Sequence, residues 1–218
     1  MKRADGSNPA TPAHGNSLSG LSNLTGVVLC GGESRRMGRD KGLLPIGDTC
    51  WAVFMAGKLA PWSIPVVYSI NPRQEVTYGA LIPSERLVID EVGLQGPLEG
   101  LFSVHKQLPG RDLLLLACDM PDLDAPTIQG LIDAYGKEDG YDFYVYQEEV
   151  SGGREEASGQ FFAQPFCGIY TSAGLALAGA SRHGNGPGDL SLQSLLYKGK
   201  TKRLPLERIE SFRNYNSF

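Results

Sequence analysis

Leu24-Thr25-Gly26-Val27-Val28-Leu29-Cys30-Gly31-Gly32-Glu33-Ser34-Arg35-Arg36-Met37-Gly38-Arg39-Asp40-Lys41-Gly42 begins as an apolar run and ends as a basic one. Leu24 to Cys30, with adjacent valines and glycines behind it, reads as a buried strand entering a loop. Gly31 and Gly32 let the backbone come close to a ligand and direct N–H groups at it. Arg35, Arg36, Arg39 and Lys41 then set four cations beside that backbone. Guanidinium groups grip phosphate oxygens in a bidentate way and lysine adds a point charge, so the group suits a triphosphate. Asp40 is placed to tether Lys41 or an arginine. The Walker A order is excluded, because Asp40 precedes Lys41 and Gly42 follows it, and GxGxxG is absent. A solvated basic turn has a similar composition. The double glycine directly behind a buried strand favours the phosphate loop.

Working outward, Trp51 to Leu59 has helical apolar spacing that Pro61 stops, and Ile64 to Ile70 and Leu87 to Ile89 read as strands. Leu98 to Leu108 is an expected helix behind Gly96-Pro97. Leu113 to Ala117 is the most apolar run and is expected to be a central strand. Ala125 to Tyr135 is an expected helix with Asp124 as N-cap and Pro126 at a tolerated early position. Tyr141 to Tyr146, Phe161 to Phe166 and Thr201 to Leu206 read as strands, and Ser191 to Tyr197 as a short helix. The polar, acidic stretch from Gln147 to Gly159 is expected to be a surface insertion or hairpin tip.

Alternating strands and helices predict an α/β protein of three layers, α/β/α, with a mostly parallel sheet covered on both faces. Ligands of such sheets lie beyond the carboxyl ends of the strands. The loops after Cys30, Ile70, Ile89 and Ala117 are therefore expected on one rim.

Bulk properties bound the rest. The 218 residues suit one domain, expected over 24–218 behind a flexible tail at 1–23. A net charge of -4 argues against an overall nucleic-acid surface, and no run reaches the length of a membrane span. The start of the chain lacks the apolar stretch of a secretory signal. Cys30, Cys50, Cys118 and Cys167 show no zinc-type spacing and read as reduced thiols, Cys30 and Cys118 as buried ones, which implies a reducing, cytoplasmic setting. His14, His105 and His183 form no visible catalytic pairing, and Arg182 reads as a surface residue.

The loop resembles the signature of the molybdenum cofactor guanylyltransferases, the MobA family, within the nucleotidyltransferases of Rossmann-like fold. The family usually has alanine where Cys30 stands, a slightly smaller residue, so nucleotide binding is expected to survive. The resemblance runs from about Leu24 to Asn216. It implies that Leu29, Cys30, Gly31, Gly32 and Lys41 hold the nucleotide, and that Asn71 contacts guanine. It implies that Asp90 helps bind the nucleotide, where a carboxylate suits guanine's N1 and exocyclic amine. Gly96-Pro97-Leu98-Glu99-Gly100 matches the Gly-Pro-Leu-x-Gly loop, whose glycines allow close backbone approach to the nucleotide. Asp119, in Ala117-Cys118-Asp119-Met120-Pro121, resembles the magnesium-binding aspartate. Taken alone, Asn71 before Pro72 is equally a turn residue, Asp90 a strand-end or capping carboxylate, and Asp119 a turn residue. Phe166-Cys167-Gly168-Ile169-Tyr170 resembles an element towards the acceptor, and Asn214-Tyr215-Asn216 the terminal Asn-x-Asn. The family continues there with Thr-Pro and a further helix, whereas this chain ends at Phe218.

The activity so implied is attack of the molybdopterin phosphate on the α-phosphorus of GTP, with Mg2+, Arg36, Lys41 and Asp119 as the catalytic set. Pyrophosphate leaves and a guanine dinucleotide cofactor remains, to be passed to molybdoenzymes or their chaperones. The residues alone establish nucleotidyl transfer. A CTP-dependent or sugar-phosphate nucleotidyltransferase, or a non-catalytic nucleotide-binding protein, stays open on that reading.

Overall fold

The apolar run at the head of the chain becomes β1 (Leu24–Leu29), buried at every residue. A computed structural model describes residues 21–31, 40–91, 96–148, 163–182 and 191–215. Beyond the phosphate loop come a 3-10 turn (Lys41–Leu43), a small hairpin of β2 (Pro45–Ile46) and β3 (Thr49–Cys50), and α1 (Trp51–Gly57). β4 (Val66–Ile70), a 3-10 turn (Pro72–Gln74), α2 (Glu75–Gly79) and β5 (Leu87–Ile89) follow. Then come α3 (Pro97–Gln107), β6 (Asp112–Ala117), α4 (Ala125–Lys137), β7 (Phe143–Gln147) and β8 (Ala163–Tyr170). The described chain closes with α5 (Ser172–Arg182), α6 (Leu192–Lys198) and β9 (Thr201–Pro205).

The main sheet has seven strands in the order β5-β4-β1-β6-β8-β7-β9. β5, β4, β1 and β6 are mutually parallel, and β8 runs against both β6 and β7. The chain steps outward from β1 through β4 to β5, then crosses back to place β6 on β1's other side. In such sheets ligands usually bind in the crevice beyond the carboxyl ends of the strands where the order reverses, here those of β1 and β6.

Alternation along the strands splits the core between two faces. Leu24, Val28, Leu114 and Leu116 pack with Ala52 and Met55 of α1 and Ile128 and Leu131 of α4. Val27, Leu113 and Leu115 pack instead with Leu101 and Val104 of α3, Leu175 of α5 and Leu196 of α6. These are the three layers expected. Each fully buried leucine contributes roughly 1.5–3 kcal/mol. Asp124 caps α4 as expected, its Oδ1 accepting from Thr127 N at 2.9 Å. The described chain begins before Leu24: Leu21 packs against the core, and Arg111 Nη1 donates to the Ser22 carbonyl at 2.7 Å. The rest of the expected tail, and most of the 147–159 insertion, lie outside the described residues.

Some elements differ from expectation. α5 was not foreseen, because Ser172-Ala173-Gly174 and Gly179 dilute its helical signal. Gly174 is there because a Cβ would stand 2.9 Å from the Asp142 carbonyl oxygen. β8 runs on to Tyr170, past Cys167 at a positive φ of 53°, where the sequence had read as ending at Phe166. The β2–β3 hairpin and α2 are too short to carry a periodic signal.

Candidate functional site

The rim forms because parallel neighbours end together. Leu29 pairs with Ala117, and Ile70 with Ile89. Backbone bonds continue past the strand ends: Cys30 N and Gly31 N both donate to the Ser69 carbonyl, at 2.9 and 3.1 Å, and Asp90 N donates to the Ile70 carbonyl at 2.8 Å. Cys118 N donates to the Leu29 carbonyl at 3.2 Å. Leu29, Cys30, Gly31, Asn71, Asp90 and Asp119 are thereby gathered at one edge. Gly32 and Arg36 lie outside the described residues, as do Arg35 and Arg39.

Lys41 returns from the loop to that edge. Its Nζ donates to Asp119 Oδ2 at 3.0 Å, each side chain about one-fifth exposed. The cation expected on the phosphates and the carboxylate expected on the metal are thus in contact, although 78 residues separate them. The pair is charge-assisted and open to solvent on one side, so an arriving polyanion and its cation can compete for both partners. Asp119 is further fixed through its main chain, because Tyr215 N donates to its carbonyl at 3.1 Å. The Tyr215 ring meets Trp51 edge-on at 6.1 Å, and its hydroxyl donates to Asp122 at 2.7 Å. The Asn-x-Asn segment therefore lies against the Asp119 loop up to Tyr215. Asn216 is outside the described residues.

Asp90 is the buried carboxylate of the site, 8% exposed. Ser69 Oγ donates to its Oδ1 at 2.6 Å. Burial pushes its pKa up from the ordinary 3.8 to about 6, with Ser69 pulling down and Glu99 pushing up. A Cβ on Gly31 would collide with Asp90 Oδ2. This corrects one expectation. The Gly31 N–H is already donated to Ser69, so Gly31 serves by lacking a side chain beneath Asp90.

Gly96 and Gly100 each have a place in the fold. Gly96 has φ 74°, and among the described residues nothing lies within 4 Å of its Cβ position, so its conformational freedom serves the turn into α3. Gly100 brings α3 against the sheet, since a Cβ would strike Ser69 Oγ and stand 2.8 Å from Leu29 Cδ2.

Asn71 does what a turn asparagine does. Its Oδ1 accepts from Arg73 N at 2.9 Å, capping the turn at Pro72–Gln74. Gln74 was missed in the sequence, although it bonds Asn71 N, the Cys30 carbonyl and Asp40. The capping-box spacing from Asn71 to Gln74 could have shown it. Asp40 is held by Gln74, Tyr78 and the Gly42 N–H. Cys30 and Cys118 are both buried free thiols on neighbouring strand ends. Burial first, then the Cys118 thiol beside it, pushes the Cys30 thiol well above its usual range.

Known proteins resemble this chain in sequence and in fold. The family model for the MobA-like NTP transferase domain matches residues 26–198. A probable molybdenum cofactor guanylyltransferase of Trichormus variabilis is 37% identical over 109 residues, 50% of this chain and 52% of that protein. A molybdenum cofactor biosynthesis bifunctional protein of Synechocystis is 29% identical over 154 residues, 71% of this chain and 41% of that one. The matches thus span about half the length of these curated relatives, or less. The crystal structure of molybdopterin-guanine dinucleotide biosynthesis protein A from Archaeoglobus fulgidus superposes with a TM-score of 0.66 at 17% identity, over 88% of this chain and 92% of that one, a likeness of fold.

Proposed function

The chain belongs to the MobA-like NTP transferase family, and from that premise we propose that it transfers GMP from GTP to molybdopterin. The observation that carries this reading is the Lys41–Asp119 contact at 3.0 Å, set in the crevice where the strand order reverses.

An oxygen of the molybdopterin phosphate attacks the α-phosphorus of GTP. The new phosphorus–oxygen bond forms as the bond to the bridging oxygen breaks, and pyrophosphate departs. The attacking oxygen is already anionic, so no strong base is required. The residues act by positioning and by neutralising charge. Lys41 leaves Asp119 for the β- and γ-phosphates, with Arg36 as a second cation. Cys30 and Gly31, just past the end of β1, lie beneath the phosphates, and Gly32 is assigned to the same binding set. Asn71 and Asp90 receive the base, Asp90 as acceptor for guanine's N1–H and exocyclic amine.

Magnesium suits the donor set. Among the described residues no cluster of three or more His, Cys, Asp or Glu could cage a cation. Asp119 would hold the ion together with the nucleotide's phosphates, since magnesium is commonly bound by one or two carboxylates plus substrate phosphates. When bound, the ion supplies charge neutralisation at the triphosphate.

Among the described residues no helix is long and apolar enough to cross a membrane. We place the reaction in the cytoplasm, with molybdoenzymes or their chaperones receiving the product. The test is calorimetric titration of the full chain with GTP and with CTP, each with and without magnesium. Tight GTP binding that requires magnesium, with weak CTP binding, is the expected result. Equal or tighter binding of CTP would contradict the assignment of the base.

A further inference from the structure

Gln74 lies at the close of the Pro72–Gln74 turn, three residues beyond Asn71. Its side chain crosses the mouth of the phosphate loop. Nε2 donates to the Cys30 carbonyl at 3.0 Å, just past the end of β1, and to Asp40 Oδ2 at 2.5 Å, where the described chain resumes. Oε1 accepts from Asn71 N at 2.8 Å. Asp40 is also held through Oδ1, which accepts from the Tyr78 hydroxyl and from Gly42 N, both at 3.0 Å. Tyr78 is fully buried, and a Cβ on Gly42 would collide with its hydroxyl. Lys41, between Asp40 and Gly42, is the residue that reaches Asp119.

The geometry points to Gln74 as a positioning residue: a clip that fixes the two ends of the phosphate loop and, through Asp40, the station of Lys41. It does this without touching the nucleotide. The inference rests on the reading that this loop receives the phosphates. A primary amide is suited to the task, because it gives two hydrogens to the two loop ends and accepts from Asn71 with its oxygen. One of its acceptors is a carboxylate, which strengthens that bond. Holding the loop ends before the ligand arrives removes part of the ordering cost of binding.

Two carboxylates in contact would undo the clip, and this gives a test by rescue. Gln74→Glu keeps the acceptor for Asn71 N–H but turns a like charge on Asp40. Asp40→Asn on that background offers a donor towards position 74 and keeps Oδ1 for Gly42 and Tyr78. Binding is measured on the full chain with magnesium. GTP affinity falls about tenfold or more in Q74E, as expected for loss of bonds to a charged acceptor. Affinity for guanosine, which carries no phosphate, changes by less than about twofold, since the base side is untouched. The double variant D40N/Q74E regains part of the loss, because the bond between positions 40 and 74 returns while the Cys30 carbonyl still lacks its donor. If Q74E does not fold, as judged by its melting curve, Q74A adds no charge and lowers GTP affinity by more than guanosine affinity, the smaller guanosine loss coming from the acceptor that Asn71 N–H gives up. Equal losses for GTP and guanosine, or no recovery in the double variant, would overturn the clip. So would GTP binding that neither Q74E nor Q74A moves, while the wild-type chain binds GTP well. A wild-type chain that binds no GTP removes the functional reading and the clip's role together.

Discussion

Asp90 is the residue whose chemistry is most altered by its surroundings. Its carboxyl is neutral more readily than usual, with a pKa near 6 instead of 3.8, because burial outweighs the Ser69 hydrogen bond. A raised folded value means that stability from the neutral form is fully present below about pH 3.8 and is lost as pH rises through about 6. Asp90→Asn, which cannot ionise, should therefore stabilise the protein relative to wild type at pH 8. The advantage should shrink on going to pH 4, by on the order of 3 kcal/mol at most. Urea denaturation at both pH values checks this, and a pH-independent difference would contradict it. Ligand binding should move the opposite way. If Asp90 accepts from guanine it must be ionised, so guanosine affinity should fall as pH drops through about 6, and should lose that dependence in Asp90→Asn. Guanosine is the right probe because the phosphates of GTP titrate in the same range. Much of this site was legible residue by residue. Lys41 and Asp119 stood out as a cation in a glycine-rich loop and a carboxylate behind an apolar strand, and they do meet. Gln74 was not singled out, because an exposed-looking polar residue after Asn-Pro-Arg carries no charge and no periodicity. Its role exists only once β1 and β4 lie side by side.

At the scale of elements, strands and long helices followed from the sequence because burial imposes a period. The runs at Leu87–Ile89 and Asp112–Ala117 and the helix at Ala125–Lys137 lie close to where the apolar pattern put them. α5 escaped because alanine and glycine make a face that packs without looking amphipathic. The last described segment matters more than its length implies. The 3-10 turn at Ile209–Phe212 seats Phe212 on Tyr146, with ring centroids 5.4 Å apart. Arg208 Nε pairs with Asp124 Oδ2 at 2.6 Å. Tyr215 then reaches the Asp119 main chain. Truncating its ring should remove the edge contact with Trp51 and loosen the Asp119 loop. Tyr215→Ala should cost about 1–2 kcal/mol of stability and lower turnover. Tyr215→Phe keeps the ring, loses the exposed hydroxyl's contacts with Asp122 and Arg213, and should cost less than about 1 kcal/mol. Trp51 fluorescence and kcat, compared across the pair, read this out. Equal behaviour of the two variants would show that the ring does not brace the loop.

The whole molecule explains why residues far apart in sequence converge. Stepping outward from β1 through β4 to β5 and back to β6 makes four parallel strands end on one rim. It also puts the reversal between β1 and β6 beside the phosphate loop. Sequence alternation gave the layers and the rim, but not the strand order, since no residue pattern distinguishes a neighbour from a crossover. The reversed β8 was equally invisible, because a strand's direction leaves no mark on its composition. The central claim is that this rim transfers GMP to the phosphate of molybdopterin. The most direct measurement incubates the full chain and magnesium with molybdopterin cofactor and either GTP or CTP. Mass spectrometry then follows the dinucleotide product, and pyrophosphate is quantified alongside. The account predicts a guanine dinucleotide and pyrophosphate in equal amounts from GTP, little product from CTP, and almost none from GTP with Asp119→Asn. Product formation from CTP at a rate equal to or above that from GTP, or an undiminished rate in Asp119→Asn, would contradict it.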